Sequence, residues 1–66
     1  MPVLQSEFHC MRGHVADGTQ VLCPSGQVIT IKSAMRGWEI RDEAGQVIET
    51  VGPDALEVTR TVLACA

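Results

Sequence analysis

Apolar residues recur along this chain in short alternating runs, and turn residues separate one run from the next. The runs are TQVLC (19–23), QVITIKS (27–33), GWEIRD (37–42) and QVIETV (46–51), all rich in β-branched side chains. Between them stand AspGly (17–18), ProSerGly (24–26), ArgGly (36–37), GluAlaGly (43–45) and GlyPro (52–53). Short runs of this kind, broken by turn chemistry every eight to twelve residues, predict an all-β barrel or sandwich.

Alternation assigns faces. Ile29 and Ile31 share one face of the second run, with Val28, Thr30 and Lys32 on the other. Trp38 and Ile40 point one way, Glu39 and Arg41 the other. Val21 and Cys23 oppose Gln20 and Leu22. In the fourth run Val47 and Val51 share a face with Glu49, and Ile48 lies opposite, so this strand is expected to be covered on both sides. Gly45 can take positive φ and close a hairpin between the third and fourth runs.

The C-terminal segment carries two signals. Asp54 and Glu57 are spaced as the ends of a helical capping box. EVTRTV (57–62), however, alternates and is β-branched, which favours a strand. The reading adopted is one helical turn at 53–56 and a last strand at 57–63. VLQSEFH could add an edge strand, and residues 1–16 are read as an arm or edge strand of a single domain spanning 1–66.

A chain of 66 residues forms one domain and buries only about 60% of the surface exposed by its unfolded form, so its core is marginal without support. There is one Phe, one Trp and no Tyr, so the core must be aliphatic around Trp38. A net charge of −3 gives no electrostatic reason to expect a nucleic-acid backbone or an anionic membrane. No apolar run approaches the length of a membrane span. The N-terminus lacks the basic and apolar regions of a secretory signal. With that, the three widely spaced cysteines read as reduced thiols in a cytoplasmic protein.

Five short strands with one helical turn before the last is the layout of SH3-like barrels. GTQVLCPSG (18–26), GWEIRDEAG (37–45) and DALEV (54–58) together resemble the small plasmid-encoded type II dihydrofolate reductases. In that family, barrel subunits assemble as a tetramer around a central pore. By the resemblance, the family's substrate-binding segment falls on Ile48, Glu49, Thr50 and Val51, and its pore lysine on Cys23. The amide and tyrosine that grip cofactor and folate there are replaced, and Glu49 would repel anionic ligands. The resemblance thus implies the fold without the activity. Small free-standing domains of this kind are common on mobile genetic elements, which is association rather than derivation.

Four chemistries follow from particular residues. Cys10, His14, Cys23 and Cys65 could complete a tetrahedral zinc site, but CPSG lacks the second cysteine of a zinc knuckle and reads more simply as a turn. Cys10 beside His9 and near His14 could be an activated thiol, but so short a chain leaves little room for a catalytic cleft, and no enzyme and no cofactor are expected. Lys32, Arg36, Trp38 and Arg41 could make a stacking platform for nucleic acid, set against the acidic neighbours Glu39, Asp42, Glu43 and Glu49. The leading expectation is protein contact, through a partner or a homo-oligomer. Phe8, Ile48, Val51 and Leu63 would form the interface, since a barrel this small has more apolar surface than its own core can hide.

Overall fold

The computed structural model describes residues 2–8 and 15–65. In chain order the elements are β1 (Val3–Leu4), α1 (Gln5–Phe8), β2 (Thr19–Leu22), β3 (Val28–Ala34), β4 (Gly37–Arg41), β5 (Val47–Val51) and α2 (Ala55–Leu63). The strands form one five-stranded sheet in the order β1-β2-β3-β4-β5. β1 runs parallel to β2, pairing Val3 with Val21, and the other three pairings are antiparallel.

Two of the hairpins turn through the same local chemistry. Around Pro24-Ser25-Gly26, Cys23 N–H donates to Gln27 O at 2.8 Å and Gly26 N–H to Cys23 O at 2.9 Å. Around Glu43-Ala44-Gly45, Asp42 N–H donates to Gln46 O at 2.9 Å and Gly45 N–H to Asp42 O at 3.0 Å. Gly26 and Gly45 close these three-residue loops with φ of 93° and 85°, the left-handed conformation that a type I turn with a G1 bulge requires at that position. The Asp42 carboxylate reinforces the second loop by accepting from the N–H groups of Ala44 and Gln46, each at 2.9 Å. CPSG is therefore a turn.

One face of the sheet makes the core. Val21, Cys23, Ile29, Ile31 and Ile40 are buried there with Phe8 from α1 and Val58 and Val62 from α2. Trp38 and Val51 pack against this cluster at its margin. The opposite face is open and polar: Thr30 pairs with Gln20 on one side and Arg41 on the other, and Lys32 pairs with Glu39. A sheet covered on one face alternates in this way.

The segment expected to be the last strand is instead helix α2. Asp54 caps it as the sequence suggests, accepting from Leu56 N–H at 2.9 Å. The helix then continues through Val58, Thr59, Thr61 and Val62, despite their β-branched side chains. Val58 and Val62 stand one turn apart, both with 0% exposure, and each fully buried Val contributes about 1.5–3 kcal/mol. Propensity costs only tenths of a kcal/mol per residue, so packing decides. The fifth strand of the sheet comes from the N-terminus, as the two-residue β1.

A second departure lies in β5. Ile40 pairs with Glu49 but Arg41 pairs with Val47, a register shift that leaves Ile48 as the extra residue of a β-bulge. Val47 is thereby placed opposite Arg41 of the polar face, and no longer shares the face of Val51. Ile48 lines a cleft of about 250 Å³ between the sheet and α2.

Candidate functional site

Among the described residues the sheet is open, and its edge away from β1 is β5, which has a strand neighbour on one side only. An edge strand carries a row of backbone donors and acceptors aimed away from the sheet. Here it also carries apolar side chains: Val47 is 43% and Ile48 50% exposed. The cleft beside it is floored by Ile29 and Ile40 and walled on the helix side by Thr61, Ala64 and Cys65. Ile48 belongs to both the edge and the cleft, with Glu49 beside it, while Val47 lies on the edge alone.

Cys65 is fixed in that wall by a disulfide to Cys23, with the two Cα atoms 6.2 Å apart and 42 residues between the partners in sequence. This corrects the reading of these two cysteines as reduced thiols. It also dismantles the four-ligand zinc proposal, because sulfurs bonded to each other are not the thiolates a metal requires. Cys10, His9 and His14 lie outside the described residues. Among the described residues no cluster of His, Cys, Asp and Glu is arranged to hold a metal ion. Cys23, which the family resemblance placed at the pore lysine, is 2% exposed in the core, so it presents nothing to a pore.

Gln5 holds the same end of α2 from the other side. Its side-chain N–H2 donates towards the carbonyls of Val62 (2.9 Å), Leu63 (3.2 Å) and Cys65 (3.0 Å) and lies 3.4 Å from Cys65 Sγ. The last carbonyls of a helix lack the usual i+4 partner; Val62 O accepts Cys65 N–H at 3.1 Å, and the Gln5 amide, with two N–H groups, adds donors for this end of the helix. No sequence pattern announces this contact, because the residues are joined only by the fold.

The expected interface residues are dispersed. Phe8 is corrected outright: it is 0% exposed, sealed in the core between α1, the sheet and α2, with no surface to offer a partner. Val51 is half-buried against the core margin. Ile48 and Leu63 are both exposed, but Thr61 faces the Ile48 cleft, and Leu63 lies about 200° further round the helix. Leu63 therefore shares its flank with Leu56, which is 66% exposed, and not with Ile48.

The nucleic-acid candidates also separate. Trp38 pairs with Ser33 and Val51 on the core side of the sheet, while Lys32 and Arg41 stand on the other face. There they line a shallow groove of about 490 Å³ with Gln20 and Thr30. Arg41 is bound to Glu39 at 2.9 Å and to the carbonyl of Gly45 at 3.3 Å. Arg36, in the β3–β4 turn, lines a separate cleft with Trp38. The fold thus provides no stacking ring flanked by all three cations.

These features define a class: a small, predominantly β protein whose five-stranded sheet is covered on one face by a disulfide-tethered helix and ends in an apolar edge. No protein-family model, no curated protein and no solved structure matches the chain. No helix among the described residues is long and apolar enough to cross a membrane.

Proposed function

We propose that this chain is a non-enzymatic interaction module that self-associates through the β5 edge and the adjoining α2 cleft. One observation carries the reading: among the described residues, β5 is an edge strand of the sheet and exposes Val47 and Ile48. Natural edge strands are usually blunted by charge, proline, bulges or cover; β5 has the bulge at Ile48 and one charged residue, Glu49, yet leaves Val47 and Ile48 exposed. Pairing β5 with β5 of a second copy satisfies the outward backbone groups and covers Val47 on one face of the joined sheet and Ile48 on the other. Such a two-fold pairing keeps Glu49 off the axis, where two carboxylates would oppose each other directly.

The SH3-like reading is supported by the antiparallel meander from β2 to β5 and departs from that layout at α2, which occupies the segment assigned to the last strand. The activity of the reductase family gains no support, since Glu49, Thr50 and Val51 sit on an open edge and Cys23 is internal.

The test is sedimentation velocity on the full chain from micromolar to millimolar concentration. A concentration-dependent dimer is expected, with Val47→Lys and Ile48→Lys each shifting it to monomer. Val47→Lys is the cleaner variant, because Ile48 also lines the cleft. A wild-type chain that stays monomeric at millimolar concentration overturns the reading.

A further inference from the structure

We infer that the Cys23–Cys65 disulfide is a redox latch, whose reduction frees the last turn of α2 and removes the helical wall of the cleft beside β5. The inference concerns regulation of the surface just assigned to self-association and rests on that assignment only for its biological consequence.

The two sulfurs occupy different surroundings. Cys23 is 2% exposed at the end of β2, whereas Cys65 is half-buried and borders the cleft. Cys65 therefore offers an incoming thiolate the easier approach, although Cys23 also borders a surface cleft with Leu22 and Pro24. Attack of a dithiol reductant on Cys65 Sγ breaks the S–S bond and releases Cys23 as a thiolate, which takes up a proton. The second thiol of the reductant then displaces Cys65 as a thiol. Two electrons and two protons enter the protein and the reductant leaves as its own disulfide.

What remains attached differs between the two ends of the helix. The first turn keeps its Asp54 cap and Val58 in the core. Among the described residues, the last turn keeps Val62 in the core, the packing of Cys65 at its margin and the Gln5 amide, having lost its covalent tie. The sheet itself is held by strand pairing that does not involve the disulfide. Opening is therefore confined to the end of α2, and it exposes Ile29 and Ile40, which are buried while Thr61, Ala64 and Cys65 stand over them.

The experiment is hydrogen exchange read by mass spectrometry on the full chain carrying Cys10→Ser, so that only this pair can react. Oxidised and dithiothreitol-reduced samples are compared at a concentration at which the oxidised sample sediments as a monomer. Amides of residues 61–65 are expected to exchange at least about tenfold faster after reduction and to open at a lower free energy than those of β3 and β4, whose exchange follows the global stability that the disulfide also raises. A brief pulse of iodoacetamide on the reduced chain should alkylate Cys65 ahead of Cys23, and preferential alkylation of Cys23 would contradict the assigned point of attack. Unchanged exchange at 61–65 in the reduced sample overturns the latch, and so does opening of 61–65 at the same free energy as β3 and β4, which would mean that the helix end opens only when the whole domain does. Recovery of both cysteines as free thiols under oxidising conditions overturns it as well. Sedimentation of the same samples at high concentration judges self-association separately. A chain monomeric in both redox states removes that reading and leaves the latch standing on its exchange data.

Discussion

The Gln5 side-chain amide donates to the backbone carbonyl of Val62 at 2.9 Å, joining residues 57 apart in sequence. The contact ties the N-terminal turn to the C-terminal end of α2, where unpaired carbonyls accumulate partial negative charge. It serves as a capping interaction supplied from outside the helix.

Replacement of Gln5 should therefore act on α2 in a charge-dependent way. Gln5→Ala is expected to cost about 1–2 kcal/mol through the loss of hydrogen bonds to partly buried carbonyls. Gln5→Glu keeps the shape but sets a carboxylate, which cannot donate, against the negative end of the helix, so it should cost more than the alanine. Urea unfolding curves of the two variants give the order directly. Equal midpoints for wild type and Gln5→Glu would dismiss the cap.

The disulfide closes a loop of 42 residues in sequence separation. Loop-closure entropy for that length corresponds to about 4 kcal/mol. The double variant Cys23→Ala, Cys65→Ala should lower the urea midpoint accordingly, with the slope rising if the unfolded chain expands. For a 66-residue chain, this is a large part of the total stability. A midpoint insensitive to the double substitution would mean that the bond contributes nothing to the folded state.

Glycines here are not equivalent. At Gly37 φ is +153°, and a Cβ would collide with the carbonyl oxygen of Val51 and the backbone of Gly52. At Gly45 φ is +85° and a Cβ meets nothing within 4 Å. Gly45→Ala should therefore cost about 1–2 kcal/mol, the conformational penalty alone. Gly37→Ala should cost more, because the β4–β5 pairing has to shift. Thermal unfolding of both variants tests the order, and a milder Gly37→Ala would contradict the close approach.

Helix α2 divides its apolar residues between core and surface. Val58→Ala and Val62→Ala should each destabilise by about 2 kcal/mol through lost burial and the cavity left behind. Leu56→Ala, on the exposed flank, should change stability by less than about 0.5 kcal/mol. If 57–63 were a strand, the alternating set Val58, Arg60 and Val62 would respond together. The helix predicts instead that Arg60→Ala is silent.

Much of the sheet was legible in the residues themselves. The alternation of Ile29 and Ile31, and of Val21 and Cys23, is a local property of extended chain, and hairpin loops such as CPSGQ and DEAGQ carry their geometry in their own proline, aspartate and glycine. Those signals set four strands and their turns, and the faces of the first three, without reference to anything distant. What only the tertiary structure decided are relations between remote parts of the chain. α2 forms because a hydrophobic cluster awaits Val58 and Val62, which overrides a β-branched propensity worth far less than their burial. Phe8 enters the core because α1 lies against β2 and α2, and Ile48 reaches its cleft because β5 shifts register against β4. Cys23 meets Cys65, and Gln5 the end of α2, only after the meander has folded. Contacts of that kind depend on three-dimensional proximity, which no local pattern of hydrophobic and polar residues encodes.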